Sequence, residues 1–185
     1  SAPFAARLRK LCSRDGRGVG TIWETDLIDA PLPKGKYDLI FARWVFLFLP
    51  EPEKHLSKLA RALKPGGRIA IQDYHRATMA LYPKPKDWDA LMAADRVFFK
   101  TQGGDASIGG RLPALYKRAG LVPTEAHPNL KSGFPGSAVW TWASWYFLGV
   151  MPRLGKLRPF TPGAARRTSA AWRAAARRPE SLFIA

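Results

Sequence analysis

Cysteine is almost missing from this chain: Cys12 is the single one. An internal disulfide is therefore excluded, and a thiolate metal site has no ligand set. Acids are scarce, 14 against 30 Lys and Arg, which leaves a formal net charge of +16. Such a balance attracts anionic partners of any kind, whether nucleic acid, acidic lipid or an anionic substrate, and says nothing about fold. Histidine is limited to His55, His75 and His127. None stands at metal-ligand spacing from another His, Asp or Glu, and no Ser-His-Asp arrangement is evident. Long apolar runs are also lacking. The uncharged stretch 132–151 is interrupted by Gly133, Pro135, Gly136 and Ser137, so its apolar remainder is too short to span a bilayer. The first residues carry no apolar h-region of a secretory signal. A lone cysteine without such a signal makes a cytoplasmic setting the expectation.

What is present suffices for one globular domain. A chain of 185 residues with 46% hydrophobic and 12% aromatic content can bury a core. The best-defined part runs from Tyr37 to His75. Leu39, Ile40 and Phe41 form a short apolar run, as in a strand buried on both faces. Pro50 and Pro52 precede a helix, where a missing amide donor costs nothing. Leu56, Leu59, Ala60 and Leu63 follow at helical spacing on one stripe. Lys64 places a cation at the helix end, and Pro65-Gly66-Gly67 reads as the turn that stops it. Ile69, Ala70 and Ile71 open a second strand. This strand-helix-strand pattern predicts an α/β protein with Tyr37–Phe41 parallel to Arg68–Gln72. In such sheets ligands bind beyond the carboxyl ends of the strands.

The rest is read more coarsely. Pro3 to Ser13 is expected to be a helix, and Val19 to Glu24 a strand parallel to the other two. Trp88–Lys100 and Ile108–Ala119 are expected helices, the second ended by Gly120. Leu121–His127 is an expected edge strand. Val139–Val150 is an expected aromatic helix with Trp142, Trp145, Tyr146 and Gly149 on one face. His55 is read as solvated. From Pro152 to Ala185 there are eight Lys and Arg and one acid, Glu180. A helix over Pro162–Arg178 would place Arg166, Arg173 and Arg177 opposite Trp172, Ala165 and Ala176. Its basic face is expected to lie in water. The aromatic residues of the late helices are read mainly as core, with an apolar acceptor pocket as the second reading.

The segment from Tyr37 to Tyr74 resembles the second half of a class I S-adenosylmethionine-dependent methyltransferase. The features that carry the resemblance are the Tyr37-Asp38 strand, the Ala42-Arg43 pair, the Pro-initiated helix, Leu63-Lys64-Pro65-Gly66-Gly67 and the strand after it. The likeness is nearest to quinone-biosynthesis methyltransferases, the type 11 subgroup, and continues more loosely to the C-terminus. It implies a partial Rossmann-like methyltransferase sheet with helical additions. The chain is read as one domain. Residues 1–75 would be the remaining part of the donor-binding core, and 76–185 the helical additions and the C-terminal part of the sheet.

The resemblance also implies an N-terminal truncation. The family's Gly-rich loop and its ribose-binding acid would precede Ser1, and no initiator Met is present. Asp15-Gly16-Arg17-Gly18-Val19-Gly20 imitates such a loop, but it follows a helical pattern instead of a strand and so reads as a turn. The implied cofactor is S-adenosyl-L-methionine, with weak or absent binding expected for this chain.

The resemblance places Asp26 where an acid receives the adenine amino group and Leu27 where a backbone amide meets the ring. The other reading of Asp26 is a loop acid capping its own turn. Ala42, Arg43 and Trp44 would line the methionine part of the donor, Arg43 pairing with a carboxylate. Arg43 packed on a tryptophan is the alternative. Tyr74 and His75 end the next strand as catalytic candidates. Tyr74 would hydrogen-bond an acceptor oxygen, and His75 would take a proton. Ordinary polar residues at a strand end are the other reading.

The implied activity is methyl transfer to a small apolar or aromatic acceptor. A non-catalytic remnant serving as an interaction module is one alternative. A basic nucleic-acid-binding protein is another, less favoured. No metal is expected, and oligomeric state is not legible.

Overall fold

The computed structural model describes residues 2–14 and 21–185. The chain forms two compact units, Ser1–Pro33 and Lys34–Ala185.

The first unit holds helix α1, Ala2–Arg14, where sequence spacing predicts one. Arg9 Nη2 meets Glu24 Oε2 at 3.1 Å. The strand expected over Val19–Glu24 is corrected in its described part, because Thr21–Glu24 joins no ladder. A strand needs a neighbour for its amides, and these residues have none in either sheet. Val19, Gly20 and the Gly-rich imitation before them lie outside the described residues. The chain then turns back at Asp26, whose carbonyl accepts from Ala30 N at 2.9 Å.

The second unit contains the predicted strand-helix-strand pattern. β1 (Tyr37–Arg43) and β2 (Leu63–Gln72) pair in parallel, from Leu39 opposite Arg68 to Arg43 opposite Gln72. Helix α2 (Pro52–Ala62) connects them, with Pro52 in its first turn and Leu56 and Leu59 buried. Two details depart from the sequence reading. Lys64-Pro65-Gly66-Gly67 is not a free turn but the opening of β2. Between the Tyr37–Leu63 and Leu39–Arg68 pairs, β1 advances by two residues and β2 by five. The surplus is a bulge. Gly66 holds a φ of +76°, and a Cβ on Gly67 would stand 2.9 Å from the Tyr37 carbonyl oxygen, so neither position suits another residue. Lys64 Nζ closes the bulge on Asp38 Oδ2 at 2.8 Å.

The strands are also not buried on both faces. Leu39 and Phe41 are each 62% exposed. They share a face with Arg68 and Ala70, while Ile40, Ala42, Ile69 and Ile71 form the half-buried face. Apolar composition of a short strand does not separate these cases, because side chains alternate sides whatever their chemistry.

Helices α3 (Trp88–Thr101), α4 (Ile108–Arg118), α5 (Ala138–Leu154) and α6 (Pro162–Ala175) stand within a few residues of their predicted positions. The expected strand over Leu121–His127 is absent. That segment has no ladder, Val122 is 82% exposed, and prolines at 123 and 128 remove donors. Three short strands, β3 (Ala80–Tyr82), β4 (Ser132–Gly133) and β5 (Leu182–Ile184), form a separate antiparallel sheet in the order β3-β5-β4. The C-terminal residues thus pair here and not with β1 and β2. His55 is buried, not solvated, on a helix that packs against β2 and α4. On α5, Trp140, Ala143, Phe147, Val150, Met151 and Leu154 are buried and Trp142 and Tyr146 pack against the core, whereas Trp145, read with the other aromatics mainly as core, is exposed. The core joins these to Trp88, Leu91, Trp172 and Phe183.

Candidate functional site

The carboxyl ends of β1 and β2 lie side by side. Trp44 N donates to the Gln72 carbonyl at 2.9 Å, extending the ladder by one bond. The chain then bends: Trp44 takes a left-handed φ of 56°, a conformation that costs a non-glycine residue energy and that its surroundings must hold. Asp73 supplies the hold. Its Oδ2 accepts from Val45 N at 3.1 Å and Leu47 N at 3.2 Å, and its Oδ1 accepts from Tyr74 N at 2.9 Å. Burial pushes the Asp73 carboxyl above its ordinary range, opposed by the amides of Tyr74, Leu47, Phe46 and Val45. One carboxylate therefore ties the end of β2 to the loop after β1.

Four rings form a ladder away from this point. Trp44 stacks on Tyr74 at 5.6 Å, Tyr74 on Trp142 at 6.0 Å, and Trp142 on Tyr146 at 6.4 Å, with interplanar angles of 15° or less. Arg43 caps one end, its guanidinium 4.0 Å from the Trp44 ring centre. At the other end Arg76 lies 4.3 Å from the Tyr146 ring. Arg76 is fully enclosed and bonds Asp95 through Nε–Oδ2 at 2.7 Å and Nη2–Oδ1 at 3.3 Å. Tyr146 donates to Asp95 Oδ1 at 2.7 Å. Both faces of Tyr74 are thus covered, which leaves its hydroxyl edge as the part able to meet a ligand. Burial raises its pKa above the usual phenol value, so at neutral pH Tyr74 is a donor and not a base.

His75 is exposed and lies against the start of α4. A Cβ on Gly110 would stand 3.2 Å from His75 Nδ1, and one on Gly109 would stand 2.9 Å from the Tyr74 carbonyl oxygen. Gly109 N donates to that carbonyl at 2.9 Å. The Gly109-Gly110 pair therefore lets the helix approach the strand end. Sequence reasoning passed over this pair, although two adjacent glycines opening a helix are a visible sign of close approach. It also left Asp73 without a role and did not connect Arg76, Asp95 and Tyr146, which are distant in sequence.

The predicted residues fall into two groups. Ala42, Arg43, Trp44, Tyr74 and His75 all belong to the strand-end cluster of the second unit. Asp26 and Leu27 belong to the first. Asp26 is exposed, and its Oδ1 accepts from Ile28 N at 2.9 Å, so it does cap its own turn. Arg43 likewise sits on a tryptophan, as one of its two readings has it. The suggested acceptor roof is largely core: Trp88, Phe99, Trp140 and Phe147 are buried. A depression of about 320 Å³ lies beside β3 and α3, lined among others by Tyr82, Lys84, Trp88, Met92 and Arg96. No predicted site residue lines it. Among the described residues no group of His, Cys, Asp and Glu is arranged to hold a metal, and no helix is long and apolar enough to cross a membrane.

Residues 1–71 match the family model of a methyltransferase domain. No curated protein sequence matches the chain. A solved structure from Galdieria sulphuraria, described as a sarcosine dimethylglycine methyltransferase, is similar over 100% of this chain and 64% of its own length, at 19% identity and a TM-score of 0.52. An S-adenosylmethionine-dependent methyltransferase from Mesorhizobium loti is similar over 100% of this chain and 75% of its own, at 16% identity and a TM-score of 0.41. Phosphoethanolamine N-methyltransferase 2 from Haemonchus contortus, solved with S-adenosyl-L-methionine, is similar over 86% of this chain and 35% of its own, at 14% identity and a TM-score of 0.36. The chain thus spans less than two thirds of the Galdieria protein, and the likeness to it is one of fold. The family-model match supports the resemblance to class I S-adenosylmethionine-dependent methyltransferases over residues 1–71. The fold is α/β, a partial Rossmann-like methyltransferase sheet with helical additions.

Proposed function

We propose that this chain is part of an S-adenosylmethionine-dependent methyltransferase acting on a small apolar or aromatic acceptor. The observation that carries the reading is the joined carboxyl end of β1 and β2, where Asp73 fixes the Arg43–Leu47 loop in the segment that the methyltransferase model reaches. Open α/β sheets bind ligands at such ends. Ala42, Arg43 and Trp44 would hold the methionine part of the donor, Arg43 through its carboxylate.

The donor supplies a methyl group on a sulfonium, already electrophilic, so most of the protein's work is alignment. Tyr74, kept protonated by burial, would donate to the acceptor oxygen and orient it. When the acceptor is a phenol or enol, its proton would pass to the His75 imidazole as the oxygen–methyl bond forms and the sulfur–methyl bond breaks. With these residues alone, donor binding is expected to be weak.

Ultraviolet cross-linking with labelled S-adenosylmethionine, mapped by mass spectrometry, tests the reading because it tolerates weak affinity. Label is expected in the peptide that holds Arg43 and Trp44, reduced by excess S-adenosylhomocysteine. Label that the competitor does not displace, or none in that peptide, would overturn it. Micromolar affinity by calorimetry would contradict the weak-binding part alone.

A further inference from the structure

One side of the α5–α6 pair is left unexplained by the strand-end cluster. The two helices run antiparallel. Trp172 Nε1 donates to Ser144 Oγ at 2.9 Å, Ser169 Oγ contacts Met151 Sδ at 3.1 Å, and a Cβ on Gly155 would stand 3.0 Å from Ala165 Cβ. Each residue along a helix turns about 100° from the one before. In an antiparallel pair, the residues that follow two facing contacts turn to the same side. Trp145, after Ser144, and Arg173, after Trp172, are therefore neighbours on the side away from the core. Pro152 continues that side along α5 and Arg166 along α6, with Lys156 and Arg177 in the turns just after the two helices.

This side is unusual in two independent respects. Trp145 is 78% exposed, and no ring of another described residue stacks on it. Its neighbours are cations without counterions: Lys156, Arg166, Arg173 and Arg177 are exposed and make no ion pair among the described residues. Neither α5 nor α6 contains an acid.

We propose that this side docks on an anionic lipid bilayer. Trp145 would lie at headgroup level, where an indole can cover its apolar body and keep its N–H wet. Arg166 and Arg173, about 10 Å apart along α6, would face lipid phosphates, with Arg177 in the turn after the helix. The shape favours a bilayer over nucleic acid. Single strands are held in grooves by successive stacked rings, whereas this is the outer side of a helix pair with one ring.

The test uses the whole chain and vesicles of phosphatidylcholine, with and without one third phosphatidylserine, at physiological salt. Cosedimentation should require phosphatidylserine. It should weaken about a hundredfold in the combined Arg166→Gln, Arg173→Gln, Arg177→Gln variant, since each cation near an anionic surface contributes about fivefold. Brominated phosphatidylcholine mixed into the anionic vesicles should quench tryptophan emission, and Trp145→Phe should abolish that quenching while still binding. Circular dichroism checks that both variants keep their helices. Absence of vesicle binding, equal binding without phosphatidylserine, or quenching that survives in Trp145→Phe would each overturn the proposal. So would binding to single-stranded or duplex DNA or RNA oligonucleotides that is tighter than to vesicles and lost in the arginine variant.

Discussion

Tyr146 donates its hydroxyl to the same carboxylate of Asp95 that Arg76 holds, at the end of the aromatic ladder that the Tyr146 ring closes. The Asp95 side chain is 0% exposed and that of Arg76 2%. A pair this deep contributes little net stability when intact, but removing one member leaves a charge that nothing neutralises. Asp95→Asn should therefore lower the unfolding free energy in urea by about 3–5 kcal/mol. Tyr146→Phe, which leaves the ion pair in place, should cost about 1 kcal/mol. Equal losses in the two variants would show that the hydroxyl and not the ion pair dominates.

Asp73 presents a different case, since it accepts from the backbone amides of Val45, Leu47 and Tyr74. Asn in its place offers one acceptor oxygen and turns an NH2 toward an amide donor. We expect Asp73→Asn to cost about 1–3 kcal/mol in denaturant unfolding. The loop at Val45–Leu47 should lose hydrogen-exchange protection before the rest of the sheet. Unchanged protection there would remove Asp73 from the role of holding the Trp44 bend.

Trp172 contacts the rings of Trp88, Trp140, Phe147 and Phe183 and is 1% exposed. Trp172→Ala should destabilise by about 3–5 kcal/mol, the transfer loss plus the cavity left behind. The exposed arginines of the same helix should each matter by less than about 0.5 kcal/mol. A large loss on their replacement would mean that α6 is held from its outer side as well.

Asp87 and Arg167 join α6 to the turn before α3 through two bonds of 3.0 Å. The hydrogen bond from Arg167 is the main reason that the Asp87 carboxyl titrates below its ordinary range. The sign of the pH effect follows. A depressed folded-state pKa stabilises above the unfolded value of about 3.9, and the contribution is lost as pH falls through the lowered folded value. Arg167→Gln should move the Asp87 titration, followed by NMR, back toward that ordinary value. It should also remove this part of the acid dependence of unfolding. An Asp87 titration unmoved in the variant would show that other charges set it.

Local order was legible where several signals agreed. Proline, a helical stripe and Pro-Gly-Gly enclosed α2 between two apolar runs, and β1 and β2 pair in parallel as those runs imply. Trp172 inside and Arg166, Arg173 and Arg177 outside follow from spacing alone. Exposure of Leu39 and Phe41 was not legible, because it depends on which neighbours cover a strand and not on the strand itself. The short strands β3 and β4 hold too few residues to show a period. The cluster at the strand ends was half legible. Arg43, Trp44, Tyr74 and His75 were singled out as residues following strands. The ring ladder that links two of them to Trp142 and Tyr146 joins positions about seventy residues apart, which no local pattern reports.

The bulge at the start of β2 also decides what changes of length this chain can absorb. Residues 64–66 carry slack that the ladder does not use, so losing one there would shorten the loop and leave the pairing from Arg68 onward in place. The same loss beyond Arg68 would send every later side chain to the opposite face. Asp73 would then point away from the Val45 and Leu47 amides, and the strand-end cluster would come apart although none of its own residues had been altered.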